Sequence, residues 1–139
     1  MLIRYTGKTI NNLSSAETRA RIAKSGDFSD LSNYLIPTKV YEVFALSLWN
    51  DGGMRAYIHS SDNCYFPLPY PFEFFEVVDS YIAEDWVVSS ILNTTYFRNI
   101  TISFQKWALD ETFYERLVEG DLECITAYEQ YLAESKTKN

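Results

Sequence analysis

Three prolines at alternate positions, Pro67, Pro69 and Pro71, constrain the fold of this chain more strongly than any other feature. Alternate residues of an extended chain share a side, so these prolines remove three backbone donors from the same edge of a strand. A central strand needs donors at both edges and does not tolerate that loss. Residues 64–71 are therefore predicted to form an extended or polyproline-like segment laid over a core, leading into a strand at Phe72–Asp79.

Hydrophobic alternation elsewhere predicts a mostly antiparallel sheet of about five strands joined by short connections. Lys39–Trp49 is apolar on both faces, which indicates a central strand covered twice. The glycines of the turn sequence at residues 50–53 can supply the positive φ values of a tight primed turn, so Met54–His59 is predicted to return beside it. Further strands are predicted at Trp86–Leu92 and at Tyr96–Trp107, the second with its polar residues facing outward.

Capping signals predict a short helix near the N-terminus and two helices in the C-terminal third. Ser14, with Glu17 three residues later, has the capping-box pattern for a helix that ends near Gly26. Asp110 is expected to cap the next helical segment, which Gly120 ends. The last helix is predicted to carry one apolar stripe, made of Leu122, Ile125, Tyr128 and Leu132.

These elements predict an α+β fold: an antiparallel or mixed sheet of about five strands, with the short N-terminal helix and the two C-terminal helices packed on it. The length of 139 residues suits one domain, and no repeat or linker divides the sequence. We expect residues 1–139 to form a single domain. Partial disorder is expected in residues 1–13, which hold at most a short strand at Leu2–Tyr5, and in residues 135–139.

Acidity is concentrated in the second half of the chain, whose total net charge is −7. Residues 1–70 hold seven Lys or Arg and six Asp or Glu, a net +1, whereas residues 71–139 hold five and thirteen, a net −8. Such a field repels nucleic acid and attracts a basic protein, although acidity can also serve solubility alone. Aromatic residues are abundant as well, and they serve cores and interfaces alike.

Residues that could carry catalysis or bind metals are few and scattered. His59 is the single histidine, and a thiolate–imidazole pair with Cys64 would lack a recognisable orienting residue. Reduced thiols are expected at Cys64 and Cys124. Carboxylates occur in pairs, but the sequence has no zinc-site, calcium-loop or phosphate-loop spacing. We therefore predict no catalytic residue, no cofactor and no metal site.

No stretch of the sequence has the pattern of a signal peptide or a membrane span. The N-terminal residues 1–12 lack an apolar region of sufficient length, and the longest uncharged run, Trp86–Phe97, is too short and too polar to cross a bilayer. The protein is therefore expected to be cytoplasmic and to bind no membrane.

The middle of the chain has a distinctive order of segments. A strand hairpin at Lys39–His59 precedes a Tyr/Pro-rich segment at Tyr65–Pro71, then the sequence FEVVD at Phe75–Asp79, then Trp86. Over about residues 39–90 this order resembles small immunity proteins of bacterial polymorphic-toxin and contact-dependent growth inhibition systems. The resemblance implies an antitoxin that neutralises its toxin domain by stoichiometric occlusion. It implies no shared catalytic residue, because each such protein binds its own toxin.

The predicted partner-binding surface is acidic and aromatic and spans one strand and the turn after it. It consists of Glu73, Glu76, Asp79, Tyr81, Glu84, Asp85 and Trp86. Its carboxylates would steer a basic, nuclease-like toxin domain, and its rings would anchor that partner. The C-terminal helices carry a competing acidic face, made of Asp110, Glu111, Glu115, Glu119, Asp121 and Glu123.

Two other functional classes stay open at this stage. The first is a non-catalytic structural or adaptor module of a bacterial assembly, and the second is an enzyme that uses surface carboxylates. The identity of the partner, the oligomeric state and the strand order are not predicted.

Overall fold

The computed structural model describes residues 1–61, 64–89 and 98–137. It has an α+β fold with two antiparallel sheets, a short N-terminal helix and C-terminal helices, so the predicted fold class is confirmed. No helix in these ranges combines the length and apolar character needed to cross a membrane.

The strands, in chain order, are β1 (Leu2–Tyr5), β2 (Val40–Glu42), β3 (Ala45–Trp49), β4 (Met54–Ile58), β5 (Leu68–Pro71), β6 (Phe75–Asp79), β7 (Trp86–Val88) and β8 (Arg98–Phe104). The helices are α1 (Ala16–Ser25), α2 (Gln105–Ala108), α3 (Phe113–Val118) and α4 (Leu122–Thr137). Short 3₁₀ turns occur at Ile10–Asn12, Leu31–Asn33 and Phe72–Phe74.

The smaller sheet is built around the N-terminal strand, in the order β2-β1-β6. Its middle strand β1 confirms the strand predicted at Leu2–Tyr5, and Ile3 and Tyr5 are fully buried. The strand predicted from Phe72 begins only at Phe75, because Phe72–Phe74 form a 3₁₀ turn closed by the N–H of Phe75. Partial disorder in the rest of residues 1–13 and in residues 135–139 stays a prediction.

The prediction of one strand over residues 39–49 is wrong, because the chain passes from one sheet to the other within it. Val43 N donates to Met1 O at 3.1 Å, beside β1, whereas Phe44 N donates to Tyr57 O at 2.9 Å, on β4. The chain therefore exchanges one partner strand for another between two consecutive residues. Its second part, β3, lies between β4 and β8, which confirms a central strand there.

The β3–β4 hairpin is confirmed, but its turn differs from the predicted one. Trp49 N donates to Gly53 O at 2.8 Å, and Gly52 N donates to Trp49 O at 2.9 Å. Within this turn only Gly52 has a positive φ, +85°. The loop therefore resembles a type I turn followed by one left-handed residue, and it is not a primed turn, because both primed types need a positive φ at their first central residue.

The proline segment is not a central strand, as predicted, but its residues Leu68–Pro71 form a true edge strand rather than a segment only laid over the core. β5 pairs only with β4 in the five-stranded sheet, whose order is β5-β4-β3-β8-β7. Pro69 and Pro71 have no N–H, so the donors to β4 come from Leu68 and Tyr70. The prolines face the outer edge, which is left without donors and is a poor template for strand addition.

β7 and β8 are both shorter than the predicted strands. β7 ends at Val88 and β8 at Phe104, directly before α2, and the predicted strand residues 90–92 and 96–97 lie outside the described ranges. Ser103 was expected to face outward but is fully buried. The reason is its position on a strand flanked on both sides, where Ser103 Oγ donates to Phe44 O at 2.7 Å.

The N-terminal helix is capped one residue later than predicted. Ser15 Oγ, rather than Ser14, accepts a hydrogen bond from Thr18 N at 3.2 Å. The helix ends at Ser25, and Gly26 follows it as expected.

The C-terminal helices are separated at Gly120, whose φ is +89°. Asp121 Oδ1 accepts the N–H of Cys124 at 3.2 Å and so caps α4. That hydrogen bond is the main cause that lowers the pKa of Asp121 below its usual range. Leu122, predicted on the buried stripe, is 76% exposed. The buried face of α4 instead consists of Cys124, Ala127 and Tyr128, of which Tyr128 was predicted on the stripe.

Aromatic rings fill the core between the larger sheet and α4. Tyr128 is fully buried, and its ring centroid lies 6.0 Å from Phe44, 5.9 Å from His59, 6.5 Å from Phe104 and 6.1 Å from Trp107. Its hydroxyl lies 2.8 Å from His59 Nε2. Burial raises the pKa of Tyr128 well above its usual range. Much of the aromatic content of the sequence therefore serves the core.

Candidate partner-binding surface

Two of the seven predicted site residues are paired with arginines. Glu76, on β6, accepts a hydrogen bond from Arg4 Nη1 at 3.0 Å across the strand pair, and both side chains are exposed. Glu73 Oε1 accepts from Arg21 Nη2 at 2.5 Å, with both side chains mostly buried. The charges of these carboxylates are therefore balanced locally, and Glu73 links the start of β6 to α1.

Trp86 belongs to the core and does not present its ring to a partner. It is 9% exposed, and its Nε1 donates to Tyr131 Oη on α4 at 2.7 Å. Trp86 thus attaches β7 to α4.

The other four predicted residues, Asp79, Tyr81, Glu84 and Asp85, are all exposed at the end of β6 and in the connection to β7. Tyr81 is 84% exposed. Asp79 Oδ1 accepts the N–H of Tyr81 at 3.0 Å, which fixes the backbone that carries this ring. None of the ion pairs among the described residues includes Asp79, Glu84 or Asp85.

Three apolar residues beside this turn are exposed as well, and they were missed by the sequence analysis. Val77 is 46%, Val78 43% and Ile82 47% exposed. Val77 pairs with Ile3 and Asp79 with Leu2, so Val78 is the extra residue of a β-bulge. A bulge breaks the alternation of a strand, which allows two consecutive valines to face solvent.

These residues form one acidic and apolar surface around a single aromatic ring. We call it the β6–β7 surface; its members are Val77, Val78, Asp79, Tyr81, Ile82, Glu84 and Asp85. β6 is an edge strand of the smaller sheet and, unlike β5, contains no proline. Exposed apolar side chains on an edge strand, rimmed by carboxylates, are typical of a protein-binding site.

The competing acidic face on the C-terminal helices is partly neutralised by one arginine. Arg116 lies 3.1 Å from Asp110, 3.3 Å from Asp121 and 3.2 Å from Glu123. The hydrogen bond to Asp121 is the main cause that raises the pKa of Arg116. These carboxylates hold α3 and the start of α4 together, so the β6–β7 surface is the better candidate.

The groups considered for catalysis are placed apart from this surface. His59 packs edge-on against Phe44 at 5.2 Å and reaches the Tyr128 hydroxyl. Cys64 and Cys124 are both free thiols, and burial raises the pKa of Cys124. Among the described residues, no group of three or more His, Cys, Asp or Glu side chains could hold a metal ion.

Comparisons of the chain with protein-family models, curated proteins and solved structures found no match.

Proposed function

We propose that this chain is a cytosolic immunity protein that neutralises a basic toxin domain by binding it stoichiometrically and covering its active site. The observation that carries the proposal is Tyr81, an 84% exposed ring among carboxylates that form no ion pair with the described residues. Tyrosine is enriched at the centres of protein interfaces, because its ring brings a large contact area at low entropic cost. The resemblance of residues 39–90 to immunity proteins adds support.

The charge distribution is suited to the capture of such a partner. The second half of the chain has a net charge of −8, from five basic and thirteen acidic residues. An enzyme that cleaves nucleic acid carries a basic surface, because it must bind phosphates. Opposite fields accelerate association, while the apolar residues around Tyr81 would slow dissociation.

The direct test is the toxin domain encoded beside the gene for this chain, produced in a host cell with and without it. We expect growth to be restored by the wild-type chain and the two proteins to co-purify at a one-to-one ratio. Failure of the chain both to protect the cell and to bind the toxin domain would contradict the proposal. Binding without protection would favour the adaptor class.

Charge reversal within the β6–β7 surface tests the predicted site. Glu84→Lys combined with Asp85→Lys should slow association with the toxin domain about tenfold, and the wild-type rate should fall as salt is added. Stopped-flow association at low and high salt measures both. Glu119→Lys combined with Glu129→Lys makes the same charge change at two other exposed positions, at the end of α3 and on α4, and is the matched control. An unchanged rate for the folded double variant, with salt-insensitive wild-type binding, would exclude this surface.

His59 and Cys64 provide the test against a catalytic mechanism. His59→Ala and Cys64→Ala should each leave the Kd for the toxin domain within about threefold, because neither residue lies in the β6–β7 surface. His59→Ala should lower the free energy of unfolding by about 1–2 kcal/mol, since its ring contacts Phe44. Loss of protection in either folded variant would favour the enzyme class.

A further inference from the structure

A pocket lies between α1 and the turn of the β3–β4 hairpin. Its volume is about 480 Å³, and it is lined by Arg21, Lys24, Ser25, Trp49, Asn50 and Asp51. This volume is within the range of small-molecule sites. Two cationic side chains from one helix thus face an aromatic ring from the hairpin.

A buried arginine, Arg55, contacts three of the residues that line this pocket. It is 1% exposed, and its guanidinium lies 4.9 Å from the centroid of the Trp49 ring. Nη2 donates to Ser25 Oγ at 2.5 Å and lies 3.9 Å from Asp51 Oδ2. Nη1 is buried without a partner among the described residues. Burial is the main cause that lowers the pKa of Arg55, and the nearby carboxylates of Asp51 and Glu73 act in the opposite direction.

Arg21, on α1, brings to this pocket a second guanidinium group with one nitrogen that lacks a hydrogen-bond partner among the described residues. Nη2 is bound to Glu73, but Nη1 is buried and has no partner in the described part of the chain. Nη1 lies 1.9 Å from the position that a Cβ atom would take at Gly53. The missing side chain of Gly53 therefore makes room for this guanidinium. One acceptor nearby, Glu73 Oε2, is buried and unpartnered too.

The charges of this cluster do not cancel. Three cations, Arg21, Lys24 and Arg55, meet two carboxylates, Asp51 and Glu73, which gives a local net charge of +1 in a chain of net charge −7. Buried donors without acceptors are costly, and an oxyanion is the ligand that best satisfies guanidinium groups. The exposed part of Trp49 offers a flat apolar wall beside them.

We propose that this pocket binds a small molecule that carries a carboxylate or a phosphate on a planar apolar group. Arg21 and Lys24 hold the oxyanion, the apolar group packs against Trp49, and Arg55 adds its positive charge from within the protein. The site is separate from the β6–β7 surface and needs no protein partner. A test of ligand binding at this pocket can therefore fail while the proposed immunity function holds, and the reverse is also true.

Phenyl phosphate and benzoate are the probes for this site, titrated into the whole chain at constant ionic strength. The indole N–H resonance of Trp49, assigned with Trp49→Phe, is followed by NMR. We expect it to shift saturably, and more than the resonances of the buried Trp86 and Trp107. The probe that binds more tightly distinguishes a phosphate ligand from a carboxylate ligand.

Matched charge variants decide whether the cations of the pocket hold the ligand. Lys24→Gln should weaken binding about tenfold, because one charge-assisted contact is lost. Lys8→Gln removes the same charge from another exposed position and should leave the affinity unchanged. Gly53→Ala, which keeps every charge but displaces Arg21, should also weaken binding. The proposal is overturned if neither probe shifts Trp49 saturably, or if Lys24→Gln and Lys8→Gln behave alike.

Discussion

Replacing Tyr128 with alanine is expected to lower the free energy of unfolding by about 3–5 kcal/mol. The side chain is fully buried, and its ring contacts Phe44, His59, Phe104 and Trp107. These rings come from the sheet, from α2 and from the segments between them, so no single movement could close the cavity that alanine leaves. Because a domain of this size is stable by only about 5–15 kcal/mol, the loss removes a large part of its stability. Urea unfolding followed by circular dichroism measures it.

Two variants separate the cavity from the other effects of this substitution. Tyr128→Phe keeps the ring and removes only the hydroxyl that meets His59, so it should cost about 1 kcal/mol. Tyr34 is 62% exposed, and Tyr34→Ala should change the stability by less than about 0.5 kcal/mol. Equal losses for Tyr128→Ala and Tyr34→Ala would show that the aromatic cluster does not form the core.

Replacing Tyr81 with alanine is expected to weaken binding of the toxin domain at least about thirtyfold, which corresponds to about 2 kcal/mol. The ring is 84% exposed, and its backbone is held by the hydrogen bond to Asp79. Removal of an exposed ring has little effect on folding, so the loss should appear in the Kd and mainly in the dissociation rate. Surface plasmon resonance with the toxin domain measures both quantities.

Two matched controls separate the effect of the Tyr81 ring from that of its hydroxyl and from the loss of any exposed tyrosine. Tyr81→Phe keeps the apolar ring and should retain most of the affinity, whereas Tyr34→Ala removes an exposed tyrosine from another part of the surface and should have no effect. Wild-type affinity in Tyr81→Ala would mean that charge alone, or a different surface, holds the partner.

Some features of the fold could be predicted because they depend only on the chemistry of the residues at that position. The donor loss at Pro69 and Pro71 correctly excluded a central strand, because a missing N–H group cannot pair in any fold. Gly120 marked the end of a helix for a similar local reason, because a positive φ is needed at that position.

Features set by distant partners could not be predicted in this way. The apolar pattern on both faces of the predicted strand continues through Val43 and Phe44, although their backbone partners belong to different sheets. Burial of Arg55 depends on Ser25 and Trp49, and only Trp49 is near it in the sequence.

In the candidate site, too, exposure could be predicted for the turn residues but not for a residue whose burial depends on a distant helix. The turn residues Asp79, Tyr81, Glu84 and Asp85 are exposed as expected of a connection between strands. Trp86 was predicted in the same site, and its burial and its hydrogen bond to Tyr131, which is distant in the sequence, show that it belongs to the core.

The position of β1 between β2 and β6 has a consequence for synthesis of the chain. β1 precedes the other described strands in the chain, yet Ile3 pairs with Val77 and Arg4 with Glu76, which are made much later. The β3–β4 hairpin closes over a few residues and can form early, whereas the β1–β6 pair must wait for a long loop to close. β2 can pair with one edge of β1 soon after residue 42 has been made, but the other edge stays without its partner strand until β6 is complete. A chaperone that holds extended apolar segments would find its target there, and release would coincide with the emergence of β6.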